Sequence, residues 1–202
     1  MVEETSGEFS LWLKLVYTVF FLLIMYVNFA YHGWRNVLWF SHIALVLLFL
    51  GLWTEKRVLV SMAGISVLFF HSLWTLMFLA RLLFGFHSGG AIAYVFDAGT
   101  PLYLRSVTMF HVATPPLILY LLSKKGYDRR AFRYQKFWGA TLILITYLLS
   151  PQRNVNWVHG PVEPQSFLHP YFYLAVLITV LVLFVYLPTH LLLDKFFGQK
   201  SL

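Results

Sequence analysis

Residues 58–84 read VLVSMAGISVLFFHSLWTLMFLARLLF, with a single formal charge, Arg81, near the end. A helix needs about 20 apolar residues (roughly 17–25) to cross the hydrocarbon core of a bilayer. This stretch is long enough to cross, to tilt and to extend beyond the lipid. Five further apolar stretches flank it, at about 11–30, 37–53, 101–123, 133–150 and 170–193. Of the 202 residues, 59% are hydrophobic and 11% charged, and the mean hydropathy is +0.71. Soluble domains carry about 25% charged residues. The apolar runs are continuous, whereas strands of a membrane barrel alternate over about 10 residues. The sequence therefore predicts an all-α polytopic membrane protein, with six transmembrane helices in one domain over residues 1–202.

The chain has no cysteine, which removes disulfides, thiolate metal sites and cysteine nucleophiles. Its start, Met-Val-Glu-Glu-Thr-Ser-Gly-Glu, is acidic and lacks the basic region of a signal peptide, so the first apolar run is expected to be retained. The net charge of +7 does not point to nucleic acid, because six basic side chains sit between Lys124 and Lys136, in one loop and its flank. Basic residues beside membrane helices set orientation. With six spans, eleven Lys and Arg fall on the side of the termini and four (Arg35, Arg81, Arg105, Arg153) on the other. The expected topology has both termini in the cytoplasm. Trp53 and Trp138 then lie at the inner interface, and Trp34, Trp39 and Trp157 at the outer one, as an aromatic belt requires.

The chemistry concentrates in Thr108-Met109-Phe110-His111-Val112-Ala113-Thr114-Pro115-Pro116, where a titratable imidazole sits near mid-membrane. Each proline lacks an N–H, so the carbonyls of residues 111 and 112 lose their helical partners. Unpaired carbonyls in lipid cost several kcal/mol unless protein or water takes them up. A polar pocket with a kinked fourth helix is therefore expected. On the third span, Ser61, Gly64, Leu68, His71, Thr75 and Phe78 recur at helical spacing and share a face. Such a seam serves close packing, with His71 bonded to a neighbouring helix, or it lines the pocket of His111. On the second span, Ser41 and His42 point about 100° apart. Ser41 is either helix–helix glue or a nucleophile activated by His111.

His32, His87, His159 and His169 fall in or beside the non-cytoplasmic loops with Asp97 and Glu163, and His190 near the inner end of the last span. No two histidines stand in an H-x-x-H or H-x-x-x-H pair. A metal site would have to be assembled from separate elements, and a haem held by His71 and His111 is one such arrangement. The cofactor is left open, and no metal ligand set is assigned.

At two places the sequence resembles the androgen-inducible family of intramembrane hydrolases, which cleave fatty-acid esters of hydroxy fatty acids with a threonine and a histidine. Pro101, Leu104, His111 and Pro115 follow the frame of that family's fourth helix, with a longer proline-to-histidine spacing. Leu38-Trp39-Phe40-Ser41-His42 lies beside its Leu-Thr-Phe-Leu-Asp pattern, with Trp39 at the threonine position. Tyr127-Asp128-Arg129-Arg130-Ala131 and Asn154-Val155-Asn156-Trp157 look like bacterial membrane proteins without an assigned function. The resemblance implies a lipid-ester hydrolase or acyl-transfer enzyme in a bacterial inner (plasma) membrane. The resemblance carries the general-base role to His111; the residues themselves offer Ser41 or Thr108 as the hydroxyl it would activate, and His71, Thr75 and His42 as those lining the substrate. Membrane lipid would be the partner, together with a second copy of the chain or another membrane subunit. The alternatives are a proton or small-solute carrier or channel, and a His-ligated metal or haem protein.

Overall fold

The computed structural model describes residues 8–86, 92–151, 153–161 and 163–198. Ser10 starts the first helix, its hydroxyl accepting the Leu13 N–H at 3.3 Å. The α-helices are α1 (Leu11–His32), α2 (Phe40–Thr54), α3 (Arg57–Phe84), α4 (Ala93–Phe96), α5 (Leu102–Val107), α6 (Phe110–Lys125), α7 (Arg130–Leu149), α8 (Pro170–Val180) and α9 (Leu187–Phe197). A 3-10 turn over Trp34–Leu38 leads into α2. Gly85 ends α3 at φ 66°, a left-handed conformation that a side chain disfavours, and its N–H bonds the Arg81 carbonyl at 3.0 Å.

Among the described residues four helical stretches are long and apolar enough to cross a membrane: Leu11–His32, Arg57–Phe84, Leu102–Lys125 and Pro170–Phe197. That length and apolarity mark a membrane protein. The six expected spans reduce to four on this measure for identifiable reasons. The second helix begins only at Phe40 and has 15 residues, because the turn before it absorbs the start of the apolar run. The fifth extends back to Arg130 and includes Arg133 and Lys136.

The fourth apolar run is broken at Thr108–Met109, one to two turns before the prolines expected to kink it. The Thr108 hydroxyl donates to the Arg105 carbonyl at 2.6 Å. Met109, His111 and Val112 then bond three residues back instead of four, which tightens the turn. Pro115 and Pro116 continue inside α6. The last apolar run is continuous but widens into a π-helical segment, Leu181–Tyr186. The wide turn ends two residues before Pro188, whose missing N–H interrupts the regular ladder in any case.

The helices run back and forth between two ends. At one end Glu55 accepts the Phe9 N–H at 3.1 Å, Arg129 pairs with Asp194 at 2.7 Å, and Tyr127 N–H bonds the Phe197 carbonyl at 2.8 Å. These contacts gather the start of α1, the α2–α3 and α6–α7 corners and the end of α9. At the opposite end Arg35 Nε donates to the Leu149 carbonyl at 2.9 Å and Arg153 to the His32 carbonyl at 2.5 Å.

Helix α3 is the axis of the bundle, packing most extensively against α6 and α2. Its segment Val60–Leu68 is buried throughout. Gly64 permits this closeness, since a Cβ there would lie 3.2 Å from Leu193 and 3.3 Å from Ile118. The seam read from helical spacing is the packed face: Ser61, Gly64, Leu68 and His71 are buried, and Thr75 and Phe78 half-buried.

Candidate functional site

Three imidazoles meet in the bundle around the ring of Phe110. Helix α2 brings His42, α3 brings His71, and the first turn of α6 brings Phe110 and His111. The Phe110 ring centre lies 4.0 Å from that of His111 and 5.7 Å from each of His42 and His71. His71 meets His111 edge-on at 4.6 Å. Trp74, one turn beyond His71, also stacks on His111, at 4.9 Å and 22°. Aromatic packing thus fixes the His111 ring between α3 and its own helix.

The hydrogen bonds of this group are unequal. His111 Nδ1 lies 2.8 Å from the Thr108 carbonyl. A carbonyl only accepts, so Nδ1 carries the proton and Nε2 keeps its lone pair. His42 and His71 are 4% and 2% exposed; the His42 ring meets the Asn36 backbone, and neither nitrogen of His71 has a hydrogen-bond partner among the described residues. A buried unpaired polar atom costs about 1–3 kcal/mol, so the His71 ring is an expensive use of a core.

The prolines have a local consequence here. The Thr75 hydroxyl donates to the His71 carbonyl at 2.7 Å and also approaches the His111 carbonyl at 3.3 Å. The second is one of the two carbonyls that the prolines leave without a helical partner. Thr75 thereby ties α3 to α6 through backbone groups. The Thr108 hydroxyl is likewise engaged, with the Arg105 carbonyl.

The structure brings together His42, His71, Thr75, Thr108 and His111 of the residues singled out in the sequence. Ser41 is half-buried beside them, and among the described residues no hydrogen bond joins it to His111. Its neighbour His42 is the side chain that turns toward Phe110. The loop groups do not gather. His159 donates through Nε2 to the Ser150 carbonyl at 3.2 Å, and His169 packs on Tyr171. Asp97 closes its own turn by accepting the Gly99 N–H and the Thr100 hydroxyl, which hold its carboxyl below the usual carboxylate range. His87 lies outside the described residues, as do Gly89 and Gly90 of the same loop.

Among the described residues no three His, Asp or Glu side chains are placed to hold one metal ion. A haem iron between two imidazoles would set their ring centres about 6 Å apart, given metal–nitrogen bonds of ~2 Å. The 4.6 Å edge contact of His71 with His111 leaves no room for a porphyrin between them.

Phe110 and Trp74 were not marked by the sequence reading, although each has a signal. Trp74 follows His71 by one helical turn, and Phe110 directly precedes His111. Tyr127 and His190 form a further pair at the terminal end, with the hydroxyl 2.6 Å from His190 Nδ1 and Phe132 stacked on the imidazole at 4.6 Å. Comparison with known proteins returned no match: no family model fits the chain, and no curated protein or solved structure is similar to it.

Proposed function

We propose that this chain is a multi-pass membrane protein whose His42–His71–His111 cluster takes up and releases a proton, as the core of a non-enzymatic proton or proton-coupled solute carrier. In this reading six helices cross a bacterial inner membrane with both termini in the cytoplasm. The observation that carries it is the packing of three imidazoles around Phe110, with both ring nitrogens of His71 unpartnered among the described residues. Imidazole is the side chain whose charge changes near neutral pH. Ionisable groups inside a membrane bundle are functional candidates by default. Three rings at this spacing repel one another when charged, so the cluster would hold one proton at a time.

The test is proton flux into proteoliposomes holding a pH-sensitive dye, driven by a potassium diffusion potential. Wild-type protein should acidify the lumen, and His71→Ala and His111→Ala should reduce flux to that of empty vesicles. His190→Ala, outside the cluster, should not. Wild-type flux equal to empty vesicles, or undiminished flux in both cluster variants, would sink the reading.

A lipid-ester hydrolase is the second reading, favoured by one detail. The bond from His111 Nδ1 to the Thr108 carbonyl leaves Nε2 as the available base. Ser41 or Thr108 would be the hydroxyl, and His42, His71 and Thr75 would line the lipid. Covalent labelling by a serine-directed fluorophosphonate, lost in Ser41→Ala and in His111→Ala, would select this reading over the carrier.

A further inference from the structure

At the end of the bundle where α1 begins and α9 ends, a cleft of about 430 Å³ opens between the α2–α3 and α6–α7 corners. Glu55, Lys56, Arg57, Lys125, Asp128 and Arg130 line it. Lys14 reaches the same place through Glu55 at 2.6 Å. Five cations therefore surround two carboxylates, an excess of three positive charges.

The carboxylates work as clamps within this group. Glu55 holds Lys14 on one oxygen and Lys125 on the other, at 2.9 Å. Asp128, buried and anchored by its N–H to the Ser61 hydroxyl at 3.0 Å, takes Arg130 in a two-point contact at 3.0 and 2.8 Å. Arg57 reaches Asp128 only through Nε, at 3.7 Å, which leaves its two Nη groups for another acceptor. The Lys56 side chain is exposed at the mouth.

The backbone adds to the field. Lys56 is the N-cap of α3, and among the described residues no side chain caps that end. Arg57 and Val58, the first two residues of this 28-residue helix, line the cleft, so the positive end of the longest helix opens there. Uncapped amides, a guanidinium fork and an exposed ammonium together suit a tetrahedral oxyanion.

We propose that this cleft binds a phosphate group, supplied by the headgroup of an anionic lipid or by free phosphate. The site owes nothing to the histidine cluster and stands whichever reading of that cluster holds. Its position at the helix ends, where α2 stops and α3 starts, is the level at which a headgroup would meet the bundle.

Full-length protein in nonionic detergent, titrated by calorimetry with inorganic phosphate and with mixed micelles of phosphatidic acid, tests it, with phosphatidylcholine micelles as the neutral control. At least one of the two phosphates should bind saturably. Lys56→Gln should weaken that binding about fivefold, and Lys56→Gln with Arg57→Gln roughly 25-fold, on the scale of surface basic residues near anionic lipid. Arg133→Gln, a cation on α7 outside the cleft, should leave it unchanged. Binding of phosphatidic acid alone assigns the site to lipid, and binding of both assigns it to the phosphate group itself. Absence of binding by either, wild-type affinity in the Lys56 and Arg57 variants, or an equal loss in Arg133→Gln would overturn the proposal. Lys56→Gln alone decides if the double variant does not fold.

Discussion

Asn156 caps the helix that carries His42, although 116 residues separate it from the amide it serves. Its Oδ1 accepts the Phe40 N–H at 3.0 Å, and its Nδ2 donates to the Leu38 carbonyl at 2.8 Å and approaches Thr146 Oγ1 at 3.3 Å. Asn156 holds a left-handed φ of 54°, a conformation asparagine tolerates better than most residues. The loop after α7 thus sets where α2 begins and how its first turn presents Ser41 and His42.

Replacing Asn156 with Ala should lower stability by about 2–3 kcal/mol, since each neutral hydrogen bond contributes about 1 kcal/mol and the Phe40 amide is left unpaired. Asn156→Asp keeps the acceptor for that amide but removes both donations, and should fall between Ala and wild type. Equilibrium unfolding in detergent orders the three proteins. An alanine variant as stable as wild type would show that the cap is dispensable.

Thr75→Val keeps the shape and removes the hydroxyl shared between the His71 and His111 carbonyls. Hydrogen bonds between membrane helices contribute about 0.6 kcal/mol on average and up to about 1.7. The loss should fall in that range, and Thr75→Ser should recover most of it. Equal stability of the Val and Ser variants would mean that the hydroxyl holds nothing between α3 and α6.

Gly139 on α7 faces the Tyr186 side chain so closely that a Cβ would lie 2.7 Å from the hydroxyl and 3.0 Å from Cε2. The Tyr186 ring is 2% exposed and has little space to withdraw. Overpacking of this kind costs about 1–3 kcal/mol, which is the expected destabilisation of Gly139→Ala. Tyr186→Phe removes the nearest atom, so the double variant should be more stable than the sum of the two single effects predicts. Strict additivity would contradict the contact.

Acid should loosen the charged end of the bundle first. Burial opposes the charge on Glu55, but Lys14 and Lys125 outweigh it and hold the carboxyl below its ordinary range. At Asp128 the Arg130 guanidinium is the dominant influence, and it likewise holds the carboxyl low against burial. A group whose folded value is depressed stabilises the fold fully above its unfolded value, about 4 for a carboxylate. That contribution is lost as pH falls through the folded value. Unfolding midpoints measured from about pH 6 to about pH 3 should decline through the lower half of that range, and Glu55→Gln should flatten part of the decline. A profile unchanged by the substitution would assign the acid sensitivity elsewhere.

Periodicity made the packed side of α3 legible, because Ser61, Gly64, Leu68, His71 and Thr75 lie along one stripe of a single helix. The freed carbonyl of His111 was equally legible, since it follows from Pro115 alone. Its partner was not. Thr75 lies 36 residues earlier, and only the packing of α3 on α6 brings it there. The break at Thr108 was misplaced for a similar reason: the hydroxyl's bond to Arg105 and the tightened turn depend on local competition that proline spacing does not reveal. Asn156 read as part of a polar loop, and its capping of a distant helix is a product of topology. Ser41 and His42 were adjacent letters pointing about 100° apart, and packing selected the histidine.

The π-helical segment at Leu181–Tyr186 carries one more residue than a regular helix of the same rise would hold there. The wide turn takes up that extra residue, so α9 keeps nearly the phase of an uninterrupted helix. Deleting one residue inside the segment would restore the regular turn and leave α9 nearly in phase, whereas deleting one from the regular part of α8 would rotate α9 by about 100° against the residues before the gap. His190 would leave Tyr127, Asp194 would leave Arg129, and Leu193 would swing off Gly64. A single-codon deletion in α8 would then act as a rotation of the whole terminal helix, felt at a charged corner with which the deleted residue has no contact, and the same deletion inside the wide turn would not.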